Sequence, residues 1–128
     1  ETLLEQNTAL DLVANNLAML LVTNRNDEQS LNRALELVER FKQSTLPDFL
    51  DTLGWVYYRL GDFKEALPYL KQAVGKAGQV PVLRYHLGMA YLAAGDTANA
   101  KEELEAALAD PETDFTGVDE AKAALEKL

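Results

Sequence analysis

From residue 49 onward the apolar positions fall into two runs with helical spacing. Phe49, Leu50, Leu53, Val56, Tyr57 and Leu60 recur at three- and four-residue intervals, and so do Phe63, Ala66, Leu67, Leu70, Ala73 and Val74. Such a stripe predicts a helix with one buried face and one wet face. Between the two runs stands Gly61-Asp62. Glycine takes the left-handed conformation that closes a helix, and aspartate accepts from the free amides that open the next. Glu65, three residues further on, completes the signature of a capping box. A connection this short predicts an antiparallel helical hairpin, whose apolar faces are too small to form a core alone.

The pattern then returns. Leu53-Gly54 aligns with Leu87-Gly88, Tyr57 with Tyr91, Gly61-Asp62 with Gly95-Asp96, Ala66 with Ala100, Leu70 with Leu104 and Ala73 with Ala107, every pair 34 residues apart. A repeat of this length signals stacked supersecondary units, each supplying part of its neighbour's core. Gly54 and Gly88 stand inside helices, where glycine costs about 1 kcal/mol relative to alanine. Close approach of the partner helix, at Ala66 or Ala100, is the expected compensation. Pro68 lies beyond the first turn of its helix and predicts a bend there rather than an end.

A looser copy precedes these two. Asn15 to Leu21, "NNLAMLL", matches the small-residue helix, and Ala34 to Phe41, "ALELVERF", matches its partner. Here Leu17 and Leu53 are 36 residues apart, and Thr23 to Arg33 separates the helices. The first hairpin is therefore expected to carry a longer loop or an extra helical turn. Glu1 to Gln6 reads as the tail of a helix from a preceding unit, and a start without methionine or signal sequence fits a fragment of a longer chain. At the other end Val118, Ala121, Ala124, Leu125 and Leu128 share one face of a segment otherwise charged. That is the pattern of a capping helix, with Phe115 placed to plug the end of the last hairpin.

The series Leu53, Gly54, Tyr57, Gly61-Asp62, Ala66, Leu70, Ala73 and its copy resemble the tetratricopeptide repeat (TPR), down to the period. The resemblance implies an all-α, right-handed solenoid of about three hairpins: repeat one over 11–46, two over 47–80, three over 81–114, a cap over 115–128, and residues 1–10 as the end of an earlier helix. The order of segments is also similar to carboxyl-terminal repeats of large bacterial TPR proteins, including those linked to exopolysaccharide and surface-protein export. In a TPR array the first helix of each hairpin lines the concave face. That places Asn15, Asn16, Met19 and Thr23 there, then Asp48, Asp51, Thr52, Trp55, Tyr58 and Arg59, then Val82, Tyr85, His86, Met89 and Ala93. The candidate partner-binding set is Asn15, Asn16, Met19, Asp51, Thr52, Trp55, Tyr58, Arg59, Tyr85, His86 and Met89. It gathers the only Trp, the only His and both Met residues. Rigid aromatic and adaptable thioether side chains suit contact with a peptide or helix. Each also has a plainer role, as packing between neighbouring helices. Asn16 is the amide best suited to a peptide backbone.

Composition narrows the function classes. The 128 residues carry 21 acidic and 12 basic side chains, a formal charge of -9, which repels phosphate backbones and argues against nucleic acid. No apolar run reaches the roughly 20 residues that cross a bilayer, so direct membrane insertion is not expected. With no cysteine and a single histidine, thiolate or His-rich metal sites and Cys-His nucleophile pairs are excluded by inventory. A hydroxyl-His-acid triad would need His86, Asp51 or Asp48, and Thr52, a poor nucleophile on a helix. The expectation is thus no enzyme and no cofactor. TPR domains that grip a carboxyl terminus use Lys, Arg and Asn on the inner helices. Here the inner set has no Lys, and Asp48 and Asp51 oppose an acidic tail, so a neutral or basic protein segment is the expected partner. The alternative is a structural end-piece, or a homo-oligomer formed through the exposed faces of terminal repeats. The compartment is open between a bacterial cytoplasm and periplasm, the chain being expected to be soluble in either.

Overall fold

The computed structural model describes residues 3–128, with side chains from Thr8 onward. Seven α-helices follow in order among the described residues: α1 (Leu3–Asn24), α2 (Glu28–Val38), α3 (Pro47–Arg59), α4 (Phe63–Ala77), α5 (Pro81–Ala93), α6 (Thr97–Ala107) and α7 (Val118–Glu126). A single 3-10 turn, Glu39–Phe41, extends α2. None of these helices is long and apolar enough to cross a membrane.

The helix ends are built from the residues the sequence nominated, with one change. Gly61 and Gly95 take φ of 85° and 88°. The amides of Gly61 and Asp62 then donate to Tyr58 and Tyr57 carbonyls at 2.9 Å each, which closes α3 in a Schellman motif. Asp62 accepts from the Glu65 amide at 3.3 Å, and Asp96 from the Asn99 amide at 3.2 Å. The reciprocal half of the expected capping box is missing. The Asp62 amide is already used by the α3 carbonyl, so the Glu65 carboxylate has no partner to reach back for.

At the amino-terminal end one expectation is revised, and of the two alternatives offered for the first hairpin the added helical length is the one observed. Glu1 and Thr2 lie outside the described residues, but Leu3 to Gln6 run without a break into the helix that carries Asn15, not in a separate earlier helix. Nothing between Gln6 and Asp11 is a glycine or proline that would end it. The connection to α2 is only Arg25 to Asp27. The added length sits in α1, and Asp27 caps α2 by accepting from the Ser30 amide at 2.9 Å. Helix α4 runs through Pro68 to Ala77.

Consecutive helices pack as hairpins, α1 with α2, α3 with α4 and α5 with α6. The first helices also approach one another closely, α1 with α3 and α3 with α5, whereas the backbones of α2, α4 and α6 stay apart. The array is therefore curved, with α1, α3 and α5 along its inner side. Gly54 shows why the repeat keeps glycine: a Cβ there would lie 2.6 Å from Leu70 Cγ and 3.2 Å from the Ala66 carbonyl oxygen. Gly88 meets Leu104 and Ala100 in the same way. Leu53, Val56, Leu70 and Leu104 are fully buried. At about 25 cal/mol per Å² of apolar surface, such side chains supply most of the driving force for stacking. Phe41 stacks on Phe49 with centroids 4.4 Å apart and joins repeat one to repeat two. Ala121 and Ala124 of α7 are buried against the last hairpin.

Candidate functional site

The inner side holds a cleft of about 470 Å³. Its walls come from α1 (Met19, Thr23), α3 (Trp55, Arg59), α5 (Val82, Tyr85, His86) and the segment Phe115 to Gly117 with Glu120 of α7. Three helices present these side chains because each places its small residues, Ala18, Gly54 and Gly88, toward its hairpin partner. The opposite flank is then free for the bulky set.

The floor is an aromatic stack. Trp55 lies between Tyr58, 4.5 Å away at 11°, and His86, 3.9 Å away at 23°. Tyr85 tilts against Trp55 at 5.6 Å and against Phe115 at 5.4 Å. Under His86 the Asp51 carboxylate accepts from Nδ1 at 2.8 and 2.9 Å, a tautomer assigned from its partner. Asp51 and His86 are both buried, at 3% exposure. Among the described residues the other ring nitrogen, Nε2, finds no hydrogen-bond partner, yet the one enclosed side-chain polar atom left without a partner there is Asn15 Oδ1. Nε2 is consequently open to the cleft that His86 lines. In the neutral ring it is an acceptor.

Charge is sparse at the surface of the cleft. Arg59 donates to Asn26 Oδ1 at 3.0 Å, which ties α3 to the connection between α1 and α2. Glu120 stands on the opposite wall. Burial first, and then the Glu120 carboxylate, push the Tyr85 hydroxyl up to about 12. Burial likewise raises Tyr58.

Of the eleven candidate residues, Met19, Trp55, Arg59, Tyr85 and His86 line the cleft together. Tyr58 backs Trp55 and tilts against Phe63. Asp51 lies beneath His86 rather than at the groove entrance, where it was expected to repel acidic segments. Thr52 is buried and its hydroxyl donates to the Asp48 carbonyl at 2.9 Å, turned to its own helix and not toward His86. Asn15 and Asn16 stand on α1 outside the cleft, Asn16 exposed and Asn15 partly buried. Met89 packs against the core.

The far wall was not legible as such. Phe115 was expected to plug the end of the last hairpin; its ring instead tilts against Tyr85 on the cleft side, and Thr116, Gly117 and Glu120 come with it. The one signal was a single aromatic in the otherwise polar stretch "DPETDFTGVDE". Gly117 has φ of 103°, and a Cβ there would fall 2.5 Å from Tyr85 Cε2. A bare backbone at 117 is what lets this segment lie on the Tyr85 ring.

No curated protein matches the chain closely enough to count as a relative. Among solved structures, the first TPR domain of the human RPAP3 protein, determined by NMR, is similar in fold, with a TM-score of 0.65 at 21% identity over 88% of this chain and 90% of that one. The family model for the tetratricopeptide repeat matches residues 57–125. That span is more than half of the chain and holds the Gly95-Asp96 helix junction, the tight Gly88 packing and α7 up to Leu125. The chain belongs to the tetratricopeptide repeat family.

Proposed function

We propose that this domain is a non-catalytic recognition module that holds a peptide or helix of a partner protein along α1, α3 and α5, with one partner side chain seated in the cleft. The observation that carries the reading is the cleft itself. It is apolar and aromatic at Met19, Trp55, Val82, Tyr85 and Phe115, with a few polar groups at its edge. That is the composition of a site that gains affinity from desolvation and orientation from isolated hydrogen bonds. Open Nε2 of His86 is one such group. Glu120 and a chain charge of -9, with Arg59 already engaged by Asn26, favour a neutral or basic segment. Thr52 facing its own helix argues against the triad that would make the site catalytic.

Trp55 and Tyr85 are too buried to remove without disturbing the fold, so the test uses exposed positions on the rim. Domain carrying Thr23→Arg and Thr116→Arg is compared with the unaltered domain in affinity capture from the source lysate, after circular dichroism shows equal helicity. Proteins held by the unaltered domain and lost by the variant support the reading. Capture of the same proteins by both overturns it.

A further inference from the structure

The nitrogen that His86 turns to the cleft belongs to a side chain only 3% exposed, and among the described residues it has no protein partner. Its character is set from below. Because Nδ1 donates to both oxygens of Asp51, the neutral ring is left with a bare lone pair at Nε2. Trp55, stacked on the ring at 3.9 Å, holds that lone pair in one direction. Whatever reaches the floor of the cleft must therefore bring an N–H or O–H donor. A purely apolar side chain would strip water from Nε2 and return nothing, and a carboxylate would meet it lone pair to lone pair.

The charges around the cleft narrow the donor further. Among the described residues the Asp51 carboxylate, also 3% exposed, has no partner besides His86. Its negative charge thus lies directly under the floor, where little water screens it. A second carboxylate, Glu120, stands at the rim with no ion-pair partner among the described residues. Against these two there is one cation, Arg59, and its guanidinium is drawn aside to Asn26 at 3.0 Å. The lining between floor and rim is apolar at Met19, Val82 and Phe115. An apolar stem that ends in donors and positive charge matches every part of this surface. Lysine and arginine side chains have that form, with donors at the tip and no acceptor.

On the footing that the domain is a recognition module, we propose that the partner side chain seated in the cleft is basic, a lysine or arginine whose terminal nitrogen donates to His86 Nε2 while Asp51 below and Glu120 at the rim supply the counter-charge. The methylenes of the stem lie along Met19, Val82 and Phe115. Asp51 is here a positioning residue, acting on the ligand through the tautomer and the charge it imposes on His86. With a volume of about 470 Å³ the cleft leaves room for water on the remaining donors of the head group.

A phage-displayed library of random peptides, selected on the whole chain, tests this. Peptides that also bind the Thr23→Arg, Thr116→Arg variant are set aside, and the rest are synthesised and titrated by calorimetry. They are expected to share a lysine or arginine whose replacement by norleucine, which keeps the stem and removes the charge, weakens binding about tenfold or more. On the protein side Glu120→Gln, at an exposed position, should weaken the same peptides about threefold, with a smaller effect at high salt. Asp51→Asn keeps an acceptor for Nδ1 and removes the buried charge, and should weaken them about tenfold. Circular dichroism verifies the helicity of both variants, and Glu120→Gln alone decides if Asp51→Asn loses it. Cleft-directed peptides that tolerate norleucine, that share an acidic residue instead, or that bind the verified variants as tightly as the parent overturn the basic side chain and leave the recognition module standing. A selection that yields no cleft-directed peptide overturns both.

Discussion

The Asp51 carboxylate and the His86 imidazole meet 35 residues apart in sequence, through 2.8 and 2.9 Å contacts that cross from α3 to α5. The pair is a strut between repeats two and three, sealed on one side by Trp55. Removing either member leaves the other buried without a partner. His86→Ala and Asp51→Ala are each expected to cost about 3 kcal/mol. Making both changes at once, Asp51→Ala with His86→Ala, should cost clearly less than the sum. Urea denaturation of the four species checks this; additive losses would mean the two side chains do not act as a unit.

Gly54→Ala gains about 1 kcal/mol of helix propensity but sets its methyl 2.6 Å from Leu70 Cγ and 3.2 Å from a backbone oxygen. Overpacking of this kind costs typically about 1–3 kcal/mol. The expected net change is a loss of stability of about 1 kcal/mol, with Gly88→Ala behaving alike. Gly75, where an added methyl would meet nothing within 4 Å, is the control. There the same substitution should stabilise, and thermal melts of the three variants decide it.

Gly117→Ala meets two penalties at once. Alanine is strained at φ of 103°, and its methyl would overlap the Tyr85 ring. A loss of about 2 kcal/mol or more is expected, together with a change in the emission of Trp55, the only tryptophan, as Tyr85 shifts beside it. Unaltered emission would show that the segment does not rest on Tyr85.

Tyr85 makes the fold sensitive to alkaline pH. Its hydroxyl is held up to about 12 by burial and by Glu120, against 10.0 when free. Between those values the folded chain keeps a proton that the unfolded chain has released, so stability falls as pH rises from about 10 to about 12 and is whole below that window. Tyr85→Phe should flatten the fall. Tyr57 and Tyr58, raised by burial as well, leave a residual slope. Urea midpoints measured across the window in both proteins test this, and equal slopes would count against it.

Periodicity made the hairpins legible because every unit must present the same stripe to its neighbours, and a stripe repeated at 34 residues is hard to produce otherwise. The resemblance to TPR arrays, read with the phase of that stripe, placed Met19, Trp55, Arg59, Tyr85 and His86 on the inner side. What it left open was depth. Trp55 and Asp51 share the inner flank of α3, yet one lines the cleft and the other lies under His86, a distinction made by the neighbouring helix and absent from α3's own residues. The wall from Phe115 to Glu120 escaped for a different reason. Gly117 is held by contact with Tyr85 across 32 positions of sequence, and a loop that rests on a distant ring leaves no local pattern beyond the glycine that permits it.

The second helices of the hairpins keep apart while the first helices touch, and this makes the array compliant in one direction only. Further curling is stopped where α1, α3 and α5 already meet. Uncurling pivots about that same line and brings α2, α4 and α6 toward one another, where their backbones are not in contact. A rod built this way yields by widening its inner trough, with the strain shared over several repeats instead of melting any one of them.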